Sequence, residues 1–135
     1  MQRKMSTLLS VCVALAVTGC STPIQHDAKN GTITYPVTKG TEVLDTARNF
    51  AMDMNWQLKG EKGRTIGDVQ ETVTLTAVDD NGKTVTFTAS YQKGKVPKLT
   101  VMSPAGAQFS TAQITTEIAR RLGVASDAKR LNKNT

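Results

Sequence analysis

Polar and apolar residues alternate over Thr72–Ala77 and again over Thr84–Ala89, two near-identical segments (T-V-T-L-T-A and T-V-T-F-T-A) twelve residues apart. A period of two predicts strands with one apolar face and one threonine face. So short a spacing predicts a hairpin. A two-residue Asn81-Gly82 turn would pair position i with 163 − i and set Phe87 beside Thr76, pointing the two apolar faces apart. A three-residue loop, Asp80-Asn81-Gly82 with Gly82 left-handed, pairs i with 162 − i instead. That register joins Val73 to Ala89, Leu75 to Phe87 and Ala77 to Val85, with Asp79 and Lys83 at the neck, and it is preferred. Thr74 then stands beside Thr88 and Thr76 beside Thr86, a candidate partner face; such a flat threonine surface also resembles ice-binding surfaces.

The period changes elsewhere. Val43, Leu44, Ala47, Phe50, Ala51 and Met54 form the apolar stripe of an amphipathic helix that opens near Thr41 and stops at Asn55. Glu42 and Asp45 lie in its first turn, where they complement the positive end of the macrodipole. A second helix is punctuated at both ends. Ser110 and Gln113 form a capping box, Phe109 and Ile114 a hydrophobic staple, and Ile114, Ile118 and Leu122 the buried stripe. Arg120 and Arg121 sit at its negative end, before Gly123 and Val124 as a Schellman stop. Shorter patterns predict strands at Thr32–Tyr35, at Trp56 and Leu58, at Ile66 and Val69, and at Leu99 and Val101. Gly60-Glu61-Lys62-Gly63 and Lys93-Gly94-Lys95 read as turns between them, and the change of parity between Val69 and Val73 suggests a bulge near Gly67. The order predicts an α+β domain, an antiparallel sheet of about four strands with two helices on one face.

The first twenty residues follow another logic. Arg3 and Lys4 precede an apolar run over Leu8–Val17, then small residues, then Cys20; the run is far short of the ~20 residues that span a bilayer and reads as a secretory signal peptide. Leu15-Ala16-Val17-Thr18-Gly19-Cys20 resembles the lipobox of bacterial lipoproteins. The resemblance implies transfer of a diacylglyceryl group to the Cys20 thiol, cleavage between Gly19 and Cys20, and acylation of the amino group so freed on Cys20 with a further fatty acid such as palmitate. Three acyl chains exceed the two signals that stable anchoring needs. Ser21 in place of Asp after the lipidated cysteine implies, on the same resemblance, the periplasmic face of an outer membrane. The expected organisation is a signal peptide at 1–19, a lipidated cysteine and flexible tether at 20–31, an α+β domain at 32–124 and a disordered tail at 125–135. Ser21–Gly31 is polar and aperiodic; eleven such residues reach at most roughly 36 Å. The domain looks like that of small bacterial envelope lipoproteins.

With 17 Lys plus Arg against 11 Asp plus Glu the net charge is +6, and loss of the leader lowers it to +4. If Cys20 is acylated, and Cys12 leaves with the leader, the domain has neither a free thiol nor a disulfide. The one histidine, His26, falls in the tether, so Ser-His-Asp and Cys-His chemistry find no base. No Gly-rich phosphate loop occurs, and no cofactor, metal or nucleic acid is expected. Asp79 and Asp80 are explained by the hairpin turn. Asp68 and Glu71 are the carboxylates that could serve glycoside chemistry. Lys59, Lys62 and Arg64 in one expected turn region, with Lys93, Lys95 and Lys98 in another, would form a basic patch if the two turns converged. The leading expectation is a non-enzymatic, membrane-anchored envelope lipoprotein that docks onto another envelope protein. The alternative is an inhibitor or immunity lipoprotein that blocks a lysozyme-like or toxin enzyme with a protruding basic loop.

Overall fold

The computed structural model describes residues 23–66 and 70–124, with residues 64–66 and 70 described by their backbone alone. The leader, Cys20, the expected bulge near Gly67, Asp68 and the tail lie outside the described residues. Six strands and two helices follow in the order β1 (Gln25–Asp27), β2 (Thr32–Thr34), α1 (Gly40–Asp53), β3 (Gln57–Ile66), β4 (Gln70–Val78), β5 (Thr84–Gln92), β6 (Lys98–Met102) and α2 (Thr111–Arg121), with a 3-10 turn at Val37–Lys39 before α1. The strands form one antiparallel sheet in the order β1-β2-β6-β5-β4-β3.

The α+β class, the antiparallel sheet and the two helices are as expected; six strands replace the expected four or so. The two strands beyond the four of the β3–β6 meander are β2, at the short pattern of Thr32–Tyr35, and β1, and one expected turn is strand without changing the count. Gly60-Glu61-Lys62-Gly63 is no turn but the middle of β3, which runs ten residues against β4 with a bulge between Leu58 and Gly60. Edge strands tolerate glycine and lysine, since one side needs no partner and charge discourages further pairing. Within the stretch read as a tether, Gln25–Asp27 pairs with β2, and Ile24 packs against the core. His26 thus sits opposite Ile33 on an edge strand, half-buried.

The β4–β5 hairpin takes the 162 − i register, with Val73 opposite Ala89, Leu75 opposite Phe87 and Ala77 opposite Val85. Asp79 donates its N–H to the Lys83 carbonyl at 2.9 Å, and Gly82 turns the chain at φ +76°. One face of the sheet is therefore apolar across its central strands, with Glu61 and His26 at the two edges. Both helices cover it, α1 over β3 and β5, and α2 over β1, β2 and β6. Phe50, Val43 and Ala47 from α1, and Ile114 and Ile118 from α2, are fully buried against Ile33, Leu75, Phe87 and Leu99. Burying each large side chain contributes about 1.5–3 kcal/mol.

Both helices stop by the same device. Asn55, at φ +61°, donates its N–H to Met52, and Trp56 donates to Ala51; at the end of α2 Gly123 donates to Arg120 and Val124 to Ala119. These are paired Schellman bonds. The capping box is complete, with Gln113 N–H donating to Ser110 Oγ at 3.1 Å and Ser110 N–H to Gln113 Oε1 at 2.8 Å. Glu117, 2% exposed, accepts from Arg120 and Arg121, and Arg121 reaches Asp53 at 2.7 Å while lying over the Phe50 ring, so one charge cluster ties α2 to α1. A close backbone approach fixes the other side, where Gly31 accepts from Val101 N–H at 2.7 Å and a Cβ at Gly31 would meet Thr111 Cγ2 at 2.4 Å.

Asp79 links three further segments. Its carboxylate accepts from the N–H groups of Asn81 and Lys83, both at 2.9 Å, and from Gln108 N–H at 2.7 Å; Gln108 Oε1 in turn accepts from Trp56 Nε1 at 2.9 Å. The hairpin tip, the β6–α2 connection and the end of α1 are joined through this buried carboxylate. Asp79→Ala leaves three donors without their acceptor and should lower stability by about 2–3 kcal/mol in urea unfolding. Asp80→Asn, on the exposed side of the same tip, should shift stability by less than about 0.5 kcal/mol.

Candidate functional site

Two features stand apart from the packed core. The first is the outer face of the sheet. Because every strand keeps its alternation in register, a row of directly opposed residues crosses all six strands: Lys62, Thr74, Thr88, Thr100, Thr32 and Asp27. Beside it Thr76, Thr86 and Met102 form a second row, and Thr72, Ser90, Lys98, Thr34 and Gln25 a third. Thr74 is opposite Thr88 and Thr76 opposite Thr86, as the pattern predicted. The structure adds Thr32, Thr34, Thr72 and Thr100, whose signal was present in the short alternations Thr32-Ile33-Thr34 and Leu99-Thr100-Val101. Among the described residues, no helix covers this face, and Met102 remains 63% exposed on it.

The six candidate basic residues do not form one cluster. Lys59 lies at the bulge of β3, Lys62 further along that strand, and Arg64 opposite Thr72 near its end. Lys93 and Lys95 are exposed in the turn between β5 and β6, and Lys98 opens β6. Lys62 and Lys98 share the outer face three strands apart, on the order of 15 Å at the usual strand spacing.

The second feature is a cavity of about 260 Å³ on the inner face, where α1 begins and its cover of the sheet ends. Its floor is Val73 and Ala89, an opposed pair of β4 and β5; Leu44 and Thr41 of α1 form one wall, and Tyr35 and Pro97 another. Glu71 and Tyr91, the next opposed inward pair, stand at one side. Tyr35 is placed by its own backbone, which donates to the Pro97 carbonyl at 3.1 Å, and is only 3% exposed. Among the described residues its hydroxyl has no hydrogen-bond partner. Burial, and secondarily the Glu71 carboxylate, push the Tyr35 phenol up to about 12. Sequence reasoning passed over this site. One signal was available, since Glu71 has the same parity as Val73 and Leu75 and so is a carboxylate on the core side of a strand.

No group of three metal-ligating side chains occurs among the described residues. No described helix is long and apolar enough to cross a membrane. Compared with known proteins, the chain matches no family model, no curated protein and no solved structure.

The Tyr35 shift has a sign. A phenol whose folded value lies above its unfolded 10.0 stays protonated longer in the folded state, so its contribution is intact below pH 10 and is lost as pH rises toward 12. Wild-type protein should therefore lose more stability than Tyr35→Phe between pH 10 and 12 in denaturant titrations; parallel pH profiles would contradict this assignment.

Proposed function

We propose that the chain is a non-enzymatic envelope lipoprotein, anchored through Cys20 at the periplasmic face of an outer membrane, whose domain docks onto another envelope protein through the outer face of its sheet. The observation that carries the docking is the uncovered six-strand face with its threonine row. A face of this kind offers hydroxyl groups at strand spacing, no large apolar patch, and amino groups at Lys62 and Lys98. It suits a flat, polar partner surface that presents carboxylates and hydrogen-bonding groups.

The anchor makes docking in the plane of the membrane natural. Since Ile24 packs against the core, only four residue steps separate it from Cys20, a reach of at most about 14 Å against the roughly 36 Å of an eleven-residue tether. Such a leash holds the domain at the headgroups, and its partner would be met laterally. The inhibitor reading draws less support. The Lys93–Lys95 turn is closed tightly by Lys95 N–H donating to the Gln92 carbonyl at 2.9 Å, which leaves little length for a blocking loop.

Two measurements test the proposal. Mass spectrometry of the mature N-terminus should find Cys20 carrying a diacylglyceryl group and an acyl chain; an unmodified Cys20 refutes the anchor. A photo-crosslinking amino acid placed at Thr88 or Thr100 should join the protein in intact cells to one and the same envelope protein, while one placed at Asn81 should not. Scattered or absent cross-links from both outer-face positions would refute the docking face.

A further inference from the structure

The inner cavity has a carboxylate at its edge. Of the side chains that line it, Glu71 alone is charged. Glu42, Asp45, Asp53, Glu61 and Glu117 are ion-paired and Asp27 and Asp79 are held by hydrogen bonds, whereas among the described residues the Glu71 carboxylate, like that of the exposed hairpin-tip Asp80, has neither an ion pair nor a hydrogen bond. Tyr35 is buried and lines the same cavity, and among the described residues its hydroxyl has no hydrogen bond. A solvent-accessible carboxylate and a tyrosine hydroxyl therefore line one small, largely apolar space.

We propose that this cavity binds a primary ammonium group on a short aliphatic stem, with Glu71 as its counter-ion. An ammonium has three donors and no acceptor. One can go to the Glu71 carboxylate and one to Tyr35 Oη, while Tyr91, Val73, Ala89 and Leu44 line the space for the stem. An anion would meet Glu71 as a like charge. The start of α1 does not offset this, because Lys39 N–H is taken by the Pro36 carbonyl at 2.9 Å and Gly40 N–H by that of Val37. Lys39 Nζ is itself held by Glu42 at 3.3 Å. A metal ion would find a single carboxylate. About 260 Å³ lies below the roughly 300–1,000 Å³ of pockets for drug-sized ligands, which favours a small amine over a large cofactor.

The amine can come from a lipid headgroup of the ethanolamine type or from a soluble amine. The cavity lies at the end of the sheet where the chain enters from Cys20, since Gln25 is opposite Thr34, Thr34 opposite Lys98, and Tyr35 bonded to Pro97. Only the lipid source rests on the anchor; the ammonium site stands without it and without the outer docking face.

The test uses the full processed protein, isotope-labelled, in nonionic detergent, titrated with ethanolamine hydrochloride and followed by amide chemical shifts. Saturable shifts at Tyr35, Glu71 and Tyr91 are expected, with a dissociation constant on the order of 1 mM. Glu71→Gln should weaken binding roughly tenfold or more, Tyr35→Phe should weaken it less, and Asp80→Asn should leave it unchanged. Glu71 is exposed, so its variant should fold, and an unchanged melting curve checks this. Linear, unsaturated shifts, undiminished binding in Glu71→Gln, or saturation by acetate in place of the amine would overturn the proposal. Bicelles with and without phosphatidylethanolamine then distinguish the sources: shifts at the same residues only with that lipid assign the headgroup, and shifts only with free amine assign a soluble ligand.

Discussion

Alternation held in register across the sheet, with a register shift at the β3 bulge, is the constraint on which the rest of this structure depends. Once Leu75, Phe87, Val101 and their neighbours share one face, both helices must cover that face and no other. The opposite face is left to threonine, which favours strand conformation and is tolerant of water. A slip of one residue in the β4–β5 hairpin would reverse every side chain and expose the core. The loop chemistry prevents this slip. Asp79 accepts from Asn81 and Lys83, Gly82 supplies the positive φ, and Gln108 of the β6–α2 connection donates its N–H to the same carboxylate.

The two candidate sites follow from the same constraint. The cover provided by α1 begins only at Gly40, so the inward pairs beyond Leu75 and Phe87 lose their apolar lid: first Val73 with Ala89, then Glu71 with Tyr91. The cavity is what remains between the end of the sheet, the start of the helix and the buried Tyr35. The outer face has no lid at all among the described residues. Fold and candidate function are thus linked by geometry, through the extent to which two helices cover one side of a six-stranded sheet.

Much of this was legible from residues alone, and the boundary is physical. The hairpin register could be worked out because only one loop length places Leu75 beside Phe87 and on the same face. The capping box, staple and helix stops were legible because caps are local, set by side chains within a few residues of the backbone groups they satisfy. β3 was misread because its Gly60, Lys62 and Gly63 have turn-like composition, and its strand conformation is imposed by the long partner β4. β1 was missed for a related reason, since three polar residues are held extended by β2 and by the burial of nearby Ile24. The cavity depends on where a helix starts relative to a distant strand end, which no periodicity encodes; the inward parity of Glu71 was its only trace.

The central claim is that the threonine face is free in the isolated protein and covered in the envelope. Single cysteines at Thr74, Thr88 and Thr100, with Asn81 as an exposed control, can be labelled by a membrane-permeant thiol reagent in purified protein and in intact cells. The account predicts ready labelling of all four positions in purified protein, and protection in cells of the three face positions alone. Equal labelling of all four positions in both settings would contradict it.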